Sequence, residues 1–216
     1  MTGDRIPTTI LSMRILPNAD PALLKQLGAG EGECSLGLFT TDCDDVGYAA
    51  LDEATKKAEV RVVYARSMYA GAGNASTRLA GEFIGILAGP DPEQVRAGLD
   101  AVASYIANDA AFYSADADDS VVYFAHCISR TGTYLSRQAD VPPGTAMAYL
   151  IAPPLEATVA LDAALKAAEV ELRVYYGPPS ETNFAGALLT GEQAACQAAY
   201  EAFADEVCRV AQEPMG

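Results

Sequence analysis

The sequence predicts a mixed α/β fold made of two tandem domains of similar size. Three observations support this fold class: the chain length of 216 residues, an internal repeat, and a recurring order of strand-like and helix-like segments. A domain commonly contains roughly 100–200 residues, so one or two fit in this chain. Half of the residues are hydrophobic, which supplies enough apolar surface for a packed core and excludes a disordered chain.

The repeat is clearest in one short segment. ALDEATKKAEV at residues 50–60 recurs as ALDAALKAAEV at residues 160–170, with eight of the eleven positions identical. The offset of 110 residues is about half of the chain, which indicates a duplicated domain rather than a solenoid. We therefore expect domains at residues 1–112 and 113–216. Residues 112–119 are acidic and small, a composition typical of a linker.

In the first half, apolar and β-branched runs predict strands, and apolar residues at helical spacing predict helices. Asp20-Pro21 and Asp91-Pro92 are typical helix starts, because Asp accepts hydrogen bonds from free backbone N–H groups and Pro suits the first turn. The predicted strands are 8–16, 35–41, 61–65 and 81–88; the predicted helices are 21–27, 51–58 and one that begins at Asp91.

The second half repeats this order. The predicted strands are 121–127, 146–152, 171–176 and 184–190; the predicted helices are 133–137, 156–168 and a final one with Cys196, Ala199, Phe203, Val207 and Val210 on one stripe. Each half therefore has about four strands and three helices, arranged as a sheet covered by helices.

A long irregular segment separates the third and fourth strands of each half, at residues 67–78 and 177–183. Gly71, Gly73 and Asn74 give the first of these segments unusual backbone freedom. Loops of this kind are either disordered tips or functional elements such as gates.

The charge balance limits the partners. The chain contains 14 Lys and Arg residues and 29 Asp and Glu residues, which gives a net charge of −15. This charge disfavours binding to phosphate groups and favours cationic or neutral small molecules as ligands. Five cysteines without CxxC spacing, together with a single His, suggest a reducing compartment and no zinc site. No apolar run is long enough to span a membrane, and the start of the chain has no signal-peptide pattern.

Two segments have partial enzyme or metal motifs. His126-Cys127 with Arg130 lacks the spacing of a phosphatase loop, so Cys127 is better explained as a small buried residue at a strand end. Residues 42–47 carry three carboxylates but have Val46 where a calcium loop needs an oxygen ligand. We therefore expect no catalytic residue, no metal and no cofactor.

Several longer segments resemble one known family. The two copies of the repeated segment are similar to the helix-to-strand signature of bacterial microcompartment (BMC) shell domains, and the chain resembles most closely the ethanolamine-utilisation (EutL) type. The resemblance runs through nearly the whole chain and is least evident in the first dozen residues and at 114–119. It is carried by residues 35–46, 52–77, 148–158 and 178–199.

The resemblance implies two circularly permuted BMC shell domains, each with a mainly antiparallel sheet of about four strands and about three helices. Three chains would form a disc with six domains, and such trimers, with neighbouring trimers and hexamers, would tile the shell of a compartment in the bacterial cytoplasm. The resemblance also implies a gated central pore and small acidic pores within each subunit that bind or pass ethanolamine. Some relatives bind cobalamin or a metal ion, and no residue pattern here points to either.

The same resemblance assigns residues to these roles. For the ethanolamine site of the small pore they are Asp45, the backbone of Val46, Glu82, Phe112, Glu181, Thr182 and Asn183, to which we add the neighbouring Asp44 and Tyr69 at the rim. For the gate loops, within 67–77 and 180–185, they are Ser67, Met68, Tyr69, Gly71, Gly73, Asn74, Ser180 and Phe184, of which Tyr69 and Phe184 would plug the closed pore. Lys56 and Lys166 would lie at the edge of the tile.

Simpler roles stay open for several of these residues. Glu82 also fits a surface strand residue, Phe112 fits linker packing, and Lys56 and Lys166 fit a solvated helix face. Two roles are open for the carboxylates around the small pore. They would either only raise the local concentration of cations, or bind ethanolamine so that it stabilises the closed gate loops. Besides a shell tile, the sequence leaves open a cytosolic small-amine binding or sensor protein. It also leaves open a hydrolase or lyase using Asp and Cys, which the single His and incomplete motifs disfavour.

Overall fold

A computed structural model describes residues 1–67, 82–178 and 184–215 of the chain. The chain divides into two compact units. The repeat-1 unit contains Thr8–Ala110 and Gly132–Leu135. The repeat-2 unit contains Met1–Pro7, Ala111–Thr131 and the chain from Ser136 onwards.

The described residues form ten strands and six helices. The strands are β1 (Arg5–Ile6), β2 (Ile10–Leu16), β3 (Ser35–Thr41), β4 (Arg61–Ser67), β5 (Phe83–Gly89), β6 (Phe112–Ser114), β7 (Val122–Ile128), β8 (Met147–Ala152), β9 (Glu171–Tyr176) and β10 (Ala185–Thr190). The helices are α1 (Pro21–Gln26), α2 (Asp44–Lys57), α3 (Pro92–Asn108), α4 (Thr133–Ala139), α5 (Pro154–Ala167) and α6 (Gln193–Gln212).

The sheet of the repeat-1 unit has the order β2-β3-β5-β4, and every pairing in it is antiparallel. Helices α2 and α3 pack together, and α3 lies closely against β3, since a Cβ on Gly37 would meet Val95 Cγ1 at 2.7 Å. Leu24 and Leu27, in and just after α1, pack with a separate cluster that contains Leu36 and Ile86 of the sheet. The sheet therefore buries side chains against both the long helices and α1.

The sheet of the repeat-2 unit has the order β1-β6-β7-β8-β10-β9, again with antiparallel pairings. Its core joins Leu150 and Leu189 of the sheet with Leu161 of α5 and Phe203 of α6. The packing around β10 leaves no room for a larger residue at Gly186, where a Cβ would lie 1.9 Å from the Leu150 carbonyl oxygen.

The two units repeat one topology, which confirms the duplication. The order β2-β3-β5-β4 corresponds to β7-β8-β10-β9, and α2 and α5 each have 14 residues at the offset of 110. The short helices α1 and α4 are each followed by a residue with positive φ, Gly28 (67°) and Asp140 (51°). Arg61 donates to the Gly28 carbonyl and Arg173 to the Asp140 carbonyl, at 2.8 and 2.5 Å.

Two local predictions are wrong. Helix α2 begins at Asp44, seven residues before the predicted start at Leu51, because Asp44 and Asp45 form its first turn, where carboxylates favour a helix. Residues 112–114 are not a linker: they form strand β6, which pairs with β1 and β7. The pairing with β1 joins segments more than 100 residues apart, so local composition does not reveal it.

The domain boundary between residues 112 and 113 stays a prediction. In the folded chain, Met1–Pro7 belongs to the repeat-2 unit, and Gly132–Leu135, which includes the start of α4, belongs to the repeat-1 unit. None of the helices in the described part of the chain combines the length and the apolar character needed to cross a bilayer.

Candidate functional site

An acidic cluster lies at the start of α2 in the repeat-1 unit. Cys43, the residue before the helix, has extended backbone and supplies no side-chain cap, while its carbonyl accepts a hydrogen bond from Thr41 Oγ1 at 2.7 Å. Asp44 and Asp45 follow in the first turn, and both are buried. The partial positive charge of a helix start favours carboxylates in this position.

Asp44 is held by two donors. Ser67 Oγ donates to Asp44 Oδ2 at 2.7 Å, and the Asp45 backbone N–H donates to Asp44 Oδ1 at 2.9 Å. Burial raises the pKa of Asp44 well above its usual range, and the neighbouring charge of Asp45 adds to this rise. A cationic group beside the pair would counter both effects, because an opposite charge favours the ionised carboxylate.

The register of the sheet brings Glu82 to the same edge. Phe83 is paired with Thr41 on one side and with Ser67 on the other, and Glu82 directly precedes it. Glu82 is half-buried and interacts with neighbouring groups. The carboxyl-bearing residues at the start of α2 and before β5 therefore share one edge of the sheet with the hydroxyl of Ser67.

The site is anchored in the core by Val46 and Gly47. Val46 is fully buried, so its side chain belongs to the packed interior rather than to an exposed pocket. A Cβ on Gly47 would lie 2.4 Å from the ring of Phe83, and the Phe83 ring also contacts Tyr48 edge-on, with centroids 4.7 Å apart. This packing fixes the start of α2 against β5.

Phe112 lies in the other unit. It is fully buried, and its ring centroid is 5.5 Å from that of Phe124 and 6.0 Å from that of Phe184. The structure thus describes Phe112 as part of an aromatic core cluster, together with the predicted plug residue Phe184. Its expected role of covering a ligand stays a prediction.

Several predicted residues fall outside the described part of the chain. Of the ethanolamine site these are Glu181, Thr182 and Asn183; of the rim and gate they are Met68, Tyr69, Gly71, Gly73, Asn74 and Ser180. Ser67 is described, and its hydroxyl is the donor to Asp44.

The two predicted edge lysines differ in their surroundings. The Lys56 side chain is 24% exposed and pairs with Glu53 on α2, and Lys57 also approaches Glu53, at 3.6 Å. Lys166 is exposed and pairs with Asp162 on α5 at 2.5 Å. Their proposed place at a tile edge stays a prediction.

Sequence reasoning missed Asp52. This buried carboxylate accepts hydrogen bonds from the backbone N–H groups of Gly132 at 2.6 Å and Leu135 at 2.9 Å, and Thr55 Oγ1 accepts one from the Thr133 N–H at 3.0 Å. Burial raises the pKa of Asp52 despite these donors. The repeat alignment pairs Asp52 with Asp162 but gives no signal that their roles differ.

A polar groove of about 440 Å³ lies between α2 and α3. Burial raises the pKa of Tyr105 in its wall, and the nearby carboxylate of Glu53 acts in the same direction. The lining residues are Glu53, Lys57, Ala101, Ser104, Tyr105 and Asp109. The groove is a feature of helix packing that no sequence motif indicates.

The described side chains offer little for metal or thiol chemistry. Within residues 1–67, 82–178 and 184–215, no group of three or more His, Cys, Asp or Glu residues is arranged to hold a metal ion. All five cysteines are free thiols. Burial raises the pKa of Cys43 and Cys127, and raises that of Cys196 to about 11, which disfavours the nucleophilic thiolate.

Comparison with known proteins gives matches to both repeats. The BMC domain profile matches residues 35–116 and 153–214, one match in each repeat. The bacterial microcompartment shell protein EutL of Clostridium perfringens is 60% identical over 216 residues, covering 100% of both chains. The EutL protein of Salmonella typhimurium is 49% identical over 212 residues, covering 98% of this chain and 97% of that protein.

The solved structures show the same fold. The crystal structure of the ethanolamine utilization protein EutL from Leptotrichia buccalis has a TM-score of 0.95 with 59% identity and 100% coverage of both chains. Both the sequence match and the fold therefore extend over the whole length, across both repeats. The chain belongs to the EutL family of bacterial microcompartment shell proteins, which are structural shell subunits with tandem BMC domains rather than enzymes.

Proposed function

We propose that three copies of this chain form a pseudohexameric shell tile whose small acidic pores bind or pass ethanolamine or a related small amine. Two repeats of one topology support the trimer, because three chains then supply six equivalent domains. The proposal places the protein in the shell of an ethanolamine-utilisation microcompartment, beside neighbouring trimers and hexamers. A gated central pore is part of it, on the strength of the family resemblance alone.

The acidic cluster carries the ligand proposal. Asp44 and Asp45 are two buried carboxyl groups at one helix start, and burial together with the neighbouring charge of Asp45 raises the pKa of Asp44. Ethanolamine has an ammonium group that suits carboxylates and a hydroxyl group that suits polar neighbours such as Ser67. Glu82, at the same sheet edge, supplies a further negative charge.

Calorimetric titration with ethanolamine tests this binding. We expect Asp45→Asn to weaken binding by about 10-fold or more, since a hydrogen bond to a charged group contributes about 1.5–3 kcal/mol. Asp100→Asn, which removes an exposed carboxylate on α3, is the matched control and should leave binding unchanged. Propan-1-ol, which lacks the ammonium group, should not bind. Equal affinity of the wild type and Asp45→Asn for ethanolamine would remove this cluster as the site.

Electron microscopy of the purified protein tests the shell role. A tile should form flat layers with hexagonal order, because edge contacts repeated by symmetry extend in two dimensions. The alternative, a free small-amine binding or sensor protein, predicts separate particles that still bind ethanolamine. Separate particles under all assembly conditions would therefore support the sensor over the tile.

A further inference from the structure

The two repeats differ in how one helix face is covered. On α2, the residues Tyr48, Asp52 and Thr55 form a helical stripe that faces the start of α4. The Tyr48 ring is stacked on Tyr134 with centroids 6.3 Å apart, and Asp52 and Thr55 accept hydrogen bonds from backbone N–H groups of the segment Gly132–Leu135. The approach is close, since a Cβ on Gly132 would lie 2.3 Å from Thr55 Oγ1. We call residues 132–135 the covering segment.

The equivalent face of α5 has no such cover within the described chain. At the offset of 110, the stripe of α2 corresponds to Thr158, Asp162 and Leu165. Leu155 and Val159, on the same side of α5, are 59% and 37% exposed, whereas their α2 counterparts Asp45 and Ala49 are buried. This α5 stripe consists of Leu155, Thr158, Val159 and Leu165, with the charged Asp162 among them.

The counterpart of the covering segment is residues 20–23, at the start of α1. The equivalence of α1 and α4 rests on their place between corresponding strands and on the matching contacts of Arg61 and Arg173 after each helix. The third residue of α4 is Leu135, which is fully buried. The third residue of α1 is Leu23, which is 41% exposed.

We propose that residues 20–23 of a second copy of this chain cover the α5 stripe, with Leu23 packed on Leu155 and Val159. This contact continues, from one copy to the next, the contact that each chain already makes between α2 and the covering segment. Each copy has one α5 stripe and one α1, so the interface is heterologous, and in the proposed trimer three such contacts close a ring of six domains. The inference rests on the proposed trimer and names the surfaces that hold it together.

The contact between α2 and the covering segment is more polar than the proposed contact between the α5 stripe and residues 20–23. Asp20 occupies the place of Gly132 and accepts the Ala22 N–H at 2.8 Å, so the start of α1 carries an acceptor of its own. Asp162 is paired with Lys166, so its carboxylate is also satisfied. Leu165 replaces Thr55. The contact between copies is therefore apolar where the contact within the chain is polar.

The test compares single charged substitutions on the two surfaces. Leu23→Glu and Val159→Glu should each weaken assembly by about 30-fold or more, as expected for a central interface residue. Native mass spectrometry and light scattering measure the oligomer, and circular dichroism confirms that each exposed substitution leaves the fold unchanged. Leu11→Glu, at a leucine of β2 that is 49% exposed, is the matched control and should still assemble as the wild type does.

Mixing the two variants gives a sharper result. The Leu23→Glu chain retains an intact α5 stripe and the Val159→Glu chain an intact α1, so the mixture should form two-chain complexes that cannot close a ring. Trimers of both variants as stable as the wild type would overturn this interface while leaving the proposed trimer intact. A wild-type protein that is monomeric would instead overturn the proposed function itself.

Discussion

Replacing Asp52 with Ala should strongly destabilise the repeat-1 unit. The carboxylate is 1% exposed and accepts the N–H groups of Gly132 and Leu135 at 2.6 and 2.9 Å. Leu135 is the third residue of α4, where backbone N–H groups lack partners within the helix. The variant would leave two buried donors without an acceptor.

The size of the effect follows from these contacts. Each unsatisfied buried donor costs about 1–3 kcal/mol, and part of this is offset because the buried carboxylate, whose pKa is raised, no longer has to be desolvated. We expect a net loss of about 2–4 kcal/mol in the free energy of unfolding. In a chain of this size this lowers the Tm by about 5–15 °C. Asp52→Asn should lose less, because its amide oxygen can still accept one N–H.

The duplicated helix supplies a matched control. Asp162 occupies the same position on α5, but its side chain is 64% exposed and pairs with Lys166. An exposed pair of this spacing contributes about 0.3–0.5 kcal/mol, so Asp162→Ala should shift the Tm by less than about 2 °C. The assay is thermal and urea unfolding followed by circular dichroism at one protein concentration. Equal destabilisation by the two variants would refute the reasoning, since it would show that burial and hydrogen bonding do not distinguish the positions.

Three further changes have defined outcomes. Asp44→Asn should stabilise the protein more at pH 8 than at pH 4. The raised pKa of Asp44 means that the folded state binds the proton of this carboxyl more tightly than the unfolded state does, so the wild type loses stability as pH rises above the usual carboxyl range. Unfolding midpoints at both pH values measure the difference. Gly186→Ala should prevent soluble expression or lower the Tm sharply, because its Cβ would lie 1.9 Å from the backbone oxygen of Leu150; normal stability would contradict the close approach. Lys166→Ala should leave the Tm within about 2 °C, since the side chain is exposed, yet abolish extended layers in electron micrographs if Lys166 lies at the tile edge; unchanged layers would remove that role.

Much of the fold was predictable because its signals are local. The predicted strands 35–41 and 171–176 coincide with β3 and β9, and the helix starts at Asp20-Pro21 and Asp91-Pro92 are confirmed by side-chain caps on Ala22 and Gln94. Alternating apolar residues and capping residues act within a few positions, so a single sequence contains them. The start of α2 was missed because its acidic residues also fit a loop.

The candidate site was predictable only in part. Sequence resemblance identified Asp44, Asp45 and Glu82, and the sheet register places them at one edge. The hydrogen bond from Ser67 to Asp44 and the buried state of both aspartates depend on contacts between β4 and α2, which no local pattern specifies.

The sequence by itself determined the duplication, the order of elements in each repeat and the family, because these follow from residue patterns repeated along the chain. Only the tertiary structure decided how the copies diverged. It paired β1 with β6 across more than 100 residues, buried Asp52 against Gly132 and left Asp162 exposed. The physical reason is that burial and hydrogen-bond partners belong to the surroundings of a residue, and two identical residues in a repeat acquire different surroundings when the chain folds.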